Sequence, residues 1–248
     1  ASGGNYNTVV GDEAGTAITT SDRNVAIGYN ALKTEDTANN NTAVGTNALA
    51  TQNAGDVTSY NTAVGDSAMY GLTDGVYNTA VGGTALDATV TGDENTALGY
   101  QAMSTSTSGS DNVAVGAGAL YSNTTSSTQT ALGYQTLYNS VTTAVDPEPY
   151  TTAVGYKAGY SNSTGIRNTM IGGLSHDANQ TGHYNTSLGY GSLSTDTRGD
   201  YTVALGYSAL ALQFSDGANQ AVYNTAVGGN AGAGLTSGIL NTFIGGRA

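Results

Sequence analysis

The sequence predicts an all-β fold, a parallel β-solenoid (β-roll) of about 14 turns with a 17-residue repeat. Two observations predict it: a motif close to Asn-Thr-Ala-Val-Gly returns fourteen times, and β-branched residues hold fixed positions around its closing glycine. Ten of the thirteen intervals between closing glycines are 17 residues, and the others are 20, 22 and 22. Positions in a turn are numbered here from the closing glycine as position 0. The closing glycines are Gly11, Gly28, Gly45, Gly65, Gly82, Gly99, Gly116, Gly133, Gly155, Gly172, Gly189, Gly206, Gly228 and Gly245.

A short strand precedes each closing glycine. Position −1 always carries Val, Ile or Leu, and position −3 carries Thr except where Val25, Val113 and Val203 replace it. Side chains two residues apart on a strand share a face, so both positions point the same way. Because Val replaces Thr at position −3 in three repeats, the face that positions −3 and −1 share is expected to point inward. Positions −2 and +3, which are mostly Ala, are then expected to form an outer strip on which identical chains pack laterally.

The residues after each glycine complete the turn. Position +4 is Leu or Met in nine repeats, which predicts a third core contact, and a second short strand with a Gly/Ser/Thr-rich return is expected around it. A solenoid of paired helices is disfavoured, because such repeats usually need about 33 residues or more and are rich in Leu, Lys and Glu. The position +4 residues are Leu32, Leu49, Met69, Leu86, Met103, Leu120, Leu137, Leu193 and Leu210.

Tyrosine and asparagine also keep to fixed positions. All 17 tyrosines lie at positions −5, +1 or +5, and Asn occupies position −4 in eleven repeats. Stacked turns would align these residues in columns, and stacked amides can hydrogen-bond from turn to turn. Both columns are interpreted as support for the sheet edges, with stacking of the tyrosines on carbohydrate as the alternative.

Two forms of the motif resemble known repeats. Asn24–Gly28 and Asn112–Gly116 are similar to the head repeats of trimeric autotransporter adhesins of the YadA type, and Asn41–Leu49 resembles the NTAVGxxAL arrays of bacteriophage tail fibres. The resemblance implies a left-handed parallel β-roll, commonly trimeric, that works as a surface or tail fibre. The period here is longer than in the adhesin heads.

A single β-solenoid domain is expected over residues 1–248, with longer loops at 46–60, 134–150 and 207–223. Such loops project from a repeat protein and are common places for binding. Joining residue 248 of one copy to residue 1 of the next would put successive closing glycines fourteen residues apart, close to one period. Head-to-tail stacking of copies is therefore expected as an alternative or an addition to a lateral trimer.

Composition excludes several classes. The chain has no Cys, 6 Lys plus Arg, 18 Asp plus Glu and a net charge of −12, so it offers no disulfide or thiolate metal site and is a poor partner for nucleic acid. It has no run of about 18 apolar residues, so no membrane insertion is expected. Copies of itself, and surface glycans as a further possibility, are the expected partners.

No residue is assigned a catalytic, cofactor-binding or metal-binding role. Two acid pairs come close by register, Asp196 with Asp177 and Asp93 with Asp111, but acids on solvated turns explain them better than a glycosidase pair. His176 takes the position usually held by Leu, which predicts a place at the edge of the core, and a metal pair with His183 is the weaker alternative. We therefore expect a protein that is not an enzyme and has no cofactor.

The predicted function is structural: an extracellular, cell-surface or virion-associated rod that self-assembles head-to-tail, laterally or both into filaments. The alternative is an adhesin or tail-fibre segment that binds host surface glycans through its tyrosines or long loops. Ice binding by a flat threonine array is disfavoured, because the threonine column is read as interior and no second outward threonine column accompanies it.

Overall fold

The computed structural model describes residues 4–34, 37–52, 55, 58–88, 91–141, 149–215 and 220–248. It divides into two compact units, Ala1–Gly118 and Ala119–Ala248. Within the described residues both units are parallel β-solenoids with a turn of about 17 residues, and neither contains a helix. The predicted fold class is therefore confirmed.

The first unit contains seven three-residue strands, one in each turn. Within the unit, strands of successive turns pair in parallel, residue for residue, so that Thr8 lies beside Val25 and Val10 beside Ile27. The register keeps every position of the repeat in one column. The strands are β1 (Thr8–Val10), β2 (Val25–Ile27), β3 (Thr42–Val44), β4 (Thr62–Val64), β5 (Thr79–Val81), β6 (Thr96–Leu98) and β7 (Val113–Val115).

The second unit follows the same plan and adds a short pair of strands. Its strands are β8 (Thr130–Leu132), β9 (Thr152–Val154), β10 (Thr169–Ile171), β11 (Thr186–Leu188), β12 (Gly199–Asp200), β13 (Val203–Leu205), β14 (Gln220–Ala221), β15 (Thr225–Val227) and β16 (Thr242–Ile244). The two-residue strands β12 and β14 pair with each other, and the other seven pair in chain order. Elsewhere in the described residues the expected second strand is replaced by turns.

The strand faces are the reverse of those expected. Positions −3 and −1 do share a face, but that face points outward, while the residue between them is buried in every strand from β2 to β15 that precedes a closing glycine. The Ala-rich positions −2 and +3 are therefore core, and the predicted outer Ala strip is wrong. The physical reason is the width of the turn, because small side chains at −2 and +3 let the backbone close around one larger residue.

That larger residue is at position +4, as predicted. The Leu and Met side chains at this position are fully buried in both units, and alanines from positions −2 and +3 pack around them. In the second unit, Leu193, Leu210 and four alanines form one such cluster, against which Phe243 is partly buried. A core of alanine with at most one leucine or methionine at position +4 of each turn also explains why the composition is poor in large aliphatic residues.

The closing glycine makes the corner that ends each strand. Gly82 has φ +136°, and a Cβ on it would lie 2.5 Å from the carbonyl oxygen of Gly99 in the next turn. The same overlap recurs at the other closing glycines that have a turn of the same unit above them. Positions −5, +2 and +4 then take left-handed backbone, with φ near +55° even where Leu or Tyr occupies them. These left-handed residues form the return that sequence reasoning assigned to a second strand.

The asparagine column at position −4 forms a ladder inside the coil. The Asn78 Oδ1 accepts a hydrogen bond from the backbone N–H of Asn95 at 2.9 Å, and the Asn78 Nδ2 donates to the carbonyl of Gly92 at 2.9 Å. The Asn78 side chain thus ties its own turn to two backbone groups of the next turn, whereas the buried Asn41 Nδ2 has no hydrogen-bond partner among the described residues. Sequence reasoning predicted the turn-to-turn hydrogen bonds, and the structure confirms them with buried amides rather than amides at a sheet edge.

Candidate functional site

The outward face of the strands is a surface without charged residues. It consists of position −3, with Thr or Val, and position −1, with Val, Ile or Leu, and we call it the Thr/aliphatic face. Leu98 in the first unit is 45% exposed and Leu188 in the second is 49% exposed. None of the 18 acidic and 6 basic residues of the chain lies at these positions. A surface kept free of charge in a chain of net charge −12 is typical of an interface.

Exposed and half-buried tyrosines form the columns that their positions predict. Rings on successive turns stack nearly parallel, with centroids 4.8 to 6.0 Å apart. Each ring covers a face of its neighbour, so within a stack the edges and hydroxyl groups meet the solvent. The stacked pairs are Tyr60–Tyr77, Tyr121–Tyr138, Tyr134–Tyr156, Tyr138–Tyr160, Tyr184–Tyr201, Tyr190–Tyr207 and Tyr201–Tyr223.

Basic side chains lie against several of these rings. The Lys157 Nζ lies 5.5 Å from the centroid of Tyr156 and 5.0 Å from that of Tyr160, so one ammonium group serves two tyrosine columns. The Arg167 guanidinium lies 5.7 Å from the centroid of Tyr184 and also donates a hydrogen bond to its hydroxyl at 3.0 Å. Lys157 and Arg167 thus place positive charge beside the tyrosine columns.

A polar cluster interrupts the core of the second unit. His176 occupies the position of the core leucine, as predicted, and is fully buried. Neither of its ring nitrogens finds a hydrogen-bond partner among the described residues. Burial lowers the pKa of His176 to about 4, although the nearby Asp196 carboxylate opposes that change. The imidazole is therefore neutral in the folded protein at pH 7.

Asp196 is buried in the same core, and both of its carboxylate oxygens accept hydrogen bonds. Its Oδ1 accepts hydrogen bonds from the backbone N–H groups of Gly199 and Ser215, both at 3.2 Å, and its Oδ2 accepts one from the Gln213 amide at 2.6 Å. These contacts connect three stretches of chain around one carboxylate. The side chain is enclosed by protein and organises a turn.

The other candidate acids and the second histidine lie on turns. Asp177 is half-buried, and burial raises the pKa of its carboxyl group. Asp93 accepts a hydrogen bond from the backbone N–H of Val76 at 2.8 Å, whereas Asp111 is exposed. The His183 Nδ1 accepts a hydrogen bond from the backbone N–H of Ile166 at 3.1 Å. Asp93 and His183 thus join successive turns by the same kind of contact.

The buried histidine predicts that the protein loses stability in mild acid. The unfolded chain takes up a proton at His176 near pH 6.5, whereas the folded chain does so only near pH 4. Below pH 6.5 the unfolded state therefore binds more protons, and the free energy of unfolding falls until about pH 4. The difference corresponds to about 3 kcal/mol. Urea unfolding followed by circular dichroism at a series of pH values measures it.

His176→Leu is the matched variant, because leucine or methionine fills this position in nine other turns. The free energy of unfolding of the wild type should fall relative to this variant by about 3 kcal/mol between pH 6.5 and pH 4. Comparing the two proteins cancels the contributions of Asp177 and Asp200, whose raised carboxyl pKa values act in the opposite direction. Parallel pH profiles for the two proteins would contradict the prediction.

The three longer loops are described only in part. Residues 53–54, 56–57, 142–148 and 216–219 lie outside the described residues, and these include Asp146, Pro147 and Glu148 of the proline-containing loop. In the third loop, Leu212 and Phe214 are exposed beside the buried Gln213. The expectation that these loops contact a partner stays a prediction.

Sequence reasoning missed the Thr/aliphatic face as a surface, although the absence of charge at both of its positions was a readable signal. Comparison with protein-family models, with curated proteins and with solved structures gives no significant match. No group of three or more His, Cys, Asp or Glu suited to a metal ion occurs within the described residues. The described part of the chain also has no helix long and apolar enough to span a membrane.

Proposed function

We propose that the chain is a structural, fibre-forming protein that associates with copies of itself through the Thr/aliphatic face. Its repeat architecture, a β-solenoid, suits a structural role because every turn stabilises its neighbours through backbone and amide hydrogen bonds. The observation that supports self-association is the segregation of charge away from this face. As in the adhesin and tail-fibre arrays that the motif resembles, the proposed location is extracellular, on a cell surface or on a virion.

The face suits a second copy better than an unrelated partner. Its side chains repeat every turn, at a strand spacing of about 4.8 Å, and carry no charge. A second copy presents the same columns with the same period, so contacts that are weak in one turn add up over many turns. The tyrosine columns and all acidic residues lie at other positions of the turn, so association through this face would leave them uncovered.

End-to-end addition is the second mode of the same proposal. Strand β1 pairs with β2 and strand β16 pairs with β15. Pairing of β16 of one copy with β1 of another would continue the parallel ladder by β-augmentation. Electron micrographs of the purified protein would show filaments if this mode operates, and single short particles at high concentration would contradict it.

The lateral mode is tested by placing one lysine on the face of each unit. The double variant Leu98→Lys with Leu188→Lys should have the mass of one chain, 24.8 kDa, while the wild type is larger in sedimentation equilibrium. Two buried lysines on such a face would lose hydration without gaining a partner charge. All four substituted positions in this test and its control are exposed, so each variant should keep the stability of the wild type within about 1 kcal/mol.

The matched control is Tyr100→Lys with Leu212→Lys, which adds the same charge at positions outside the face. Leu212 is 54% exposed and Tyr100 is 61% exposed. This variant should keep the mass of the wild type. A wild type with the mass of one chain at micromolar concentration would rule out lateral association, and equal dissociation of both double variants would rule out the Thr/aliphatic face.

Ice binding is a second candidate, because the threonine column points outward and not inward as expected from sequence. Val25, Val113 and Val203 interrupt the column, and the neighbouring position alternates among Val, Ile and Leu, which makes the face uneven. We therefore rank it below self-association. A thermal-hysteresis measurement tests it, since a protein that leaves the growth of ice crystals unchanged has no such activity.

A further inference from the structure

One column of tyrosines in the second unit has a ring missing. Backbone hydrogen bonds place Tyr134, Tyr156, Gly173, Tyr190 and Tyr207 at position +1 of successive turns. Tyr134 and Tyr156 stack with centroids 5.6 Å apart, and Tyr190 and Tyr207 stack with centroids 6.0 Å apart. Between the two pairs stands a glycine, so the column consists of two ring pairs separated by a gap.

The gap has the height of one inserted ring. Tyr156 and Tyr190 are two turns apart, which corresponds to roughly 9.6 Å along the stack. A Cβ on Gly173 would lie 3.3 Å from the Tyr190 Cδ2, so the edge of that ring borders the bare backbone of the glycine. The two tyrosines therefore form opposite walls, and Gly173 forms the floor. The spacing of the turns therefore leaves the height of about one ring between the two walls.

Polar groups stand beside the gap. The Lys157 Nζ lies 5.5 Å from the ring centroid of Tyr156, and the half-buried Asp177 follows Gly173 on the same turn. Lys157 can donate hydrogen bonds to a ligand at the side of the Tyr156 wall. Both walls are about half exposed, so a ring within a longer chain can enter while the rest of that chain stays in solvent.

We propose that this gap, the Gly173 slot, binds one pyranose ring of a neutral glycan whose ring substituents are all equatorial. Such a chair has C–H bonds on both faces, which pack against two aromatic walls, and hydroxyl groups at its rim, which reach Lys157 and water. A planar aromatic ring without hydroxyl groups would contact the walls but would have no rim groups to reach Lys157 and water. A nucleic acid is disfavoured by the charge of −12. Chains of β-glucose or β-N-acetylglucosamine have the required stereochemistry.

The first unit provides an internal contrast. Gly83 also occupies position +1 and lies against the ring of Tyr100, but the preceding turn has Asp66 at that position. One wall is missing there, so no slot forms. The Gly173 slot gives the glycan-binding alternative a specific site. The slot lies at position +1, outside the Thr/aliphatic face, so this proposal does not depend on self-association.

Calorimetric titration with cellopentaose and with β-1,4-linked mannopentaose tests the slot. Mannose carries an axial hydroxyl group on one face of its ring, which would press against a tyrosine wall. We expect cellopentaose to bind with a dissociation constant in the millimolar range and mannopentaose to bind about tenfold more weakly. Equal affinity for the two sugars, or no heat from cellopentaose at millimolar concentrations, would overturn the proposal.

Three variants locate the binding. Gly173→Tyr places a ring in the gap as other turns do; its backbone is not left-handed, and the tight 3.3 Å contact of its Cβ is with the exposed ring of Tyr190, which can shift by a few tenths of an ångström, so the variant should fold and lose cellopentaose binding. Tyr190→Ala removes one wall and should weaken binding about tenfold. Tyr29→Ala, at the same position in the first unit, should bind as the wild type does. Unchanged affinity in Tyr190→Ala, or an equal loss in Tyr29→Ala, would place the sugar elsewhere and overturn the proposal.

Discussion

Replacing Gly82 by alanine is expected to lower the free energy of unfolding by about 4 kcal/mol or more. Its φ of +136° is strained for any residue with a side chain, and the added methyl group would lie 2.5 Å from the carbonyl oxygen of Gly99. That oxygen belongs to backbone, so relief requires two turns to separate. Separation would stretch the hydrogen bond from the N–H of Gly99 to the carbonyl of Val81, which is 2.8 Å long.

The neighbouring residue provides the control. A Cβ on Gly83 would have its nearest contact at 3.5 Å, with a ring carbon of Tyr100, and the backbone of Gly83 is not left-handed. Gly83→Ala should therefore change the free energy of unfolding by no more than about 0.5 kcal/mol. Urea unfolding of the three proteins, followed by circular dichroism, measures both effects. Similar losses in the two variants would show that the corner does not depend on close contact between turns.

Asn78→Ala is expected to lower the free energy of unfolding by about 4 kcal/mol, because it removes three hydrogen bonds to the next turn, of which two satisfy backbone groups and the third comes from the Asn95 Nδ2 at 3.1 Å. Without the side chain, the buried N–H of Asn95 and the carbonyl of Gly92 both lose their partners. Each unsatisfied buried group costs about 1–3 kcal/mol. Hydrogen exchange should locate the damage, with faster exchange of the Asn95 amide proton than in the wild type.

Asn40→Ala is the matched substitution in the same unit. Asn40 is half-buried, has φ +63°, and its side chain makes no hydrogen bond to the described residues. Its replacement should cost about 1 kcal/mol, from the left-handed backbone alone. If both asparagine variants lost the same stability, or if the Asn95 amide proton kept its protection in Asn78→Ala, the ladder would not contribute as the hydrogen bonds indicate.

Much of this fold could be read from residue types at fixed intervals. The 17-residue period, the glycine corner, the leucine or methionine of the core, the asparagine ladder and the tyrosine columns all follow from register. Parallel turns of constant length must place equal positions side by side, so a repeated residue becomes a column whatever the details of the turn. The place of His176 in the core follows for the same reason, because it stands where Leu32 and Leu49 stand in other turns.

Which strand face is buried could not be read in this way. Alternation shows that Thr79 and Val81 share a face and that Ala80 has the other, but it is unchanged when the two faces are exchanged. The general preference of Val over Ala for the interior led to the wrong face. In the folded turn the interior is narrow and already holds the residue at position +4, such as Leu86, so only a side chain as small as alanine fits beside it.

The candidate surfaces depend on the same decision. Once alanine is inside, the threonine and aliphatic columns become an outer face without charge, and the lateral association that we propose uses that face instead of the predicted Ala strip. The Gly173 slot could be recognised only from the structure, because it depends on how two pairs of tyrosine rings stack on either side of the glycine. Columns are thus a consequence of the repeat, whereas inside and outside are set by how much volume the closed turn encloses.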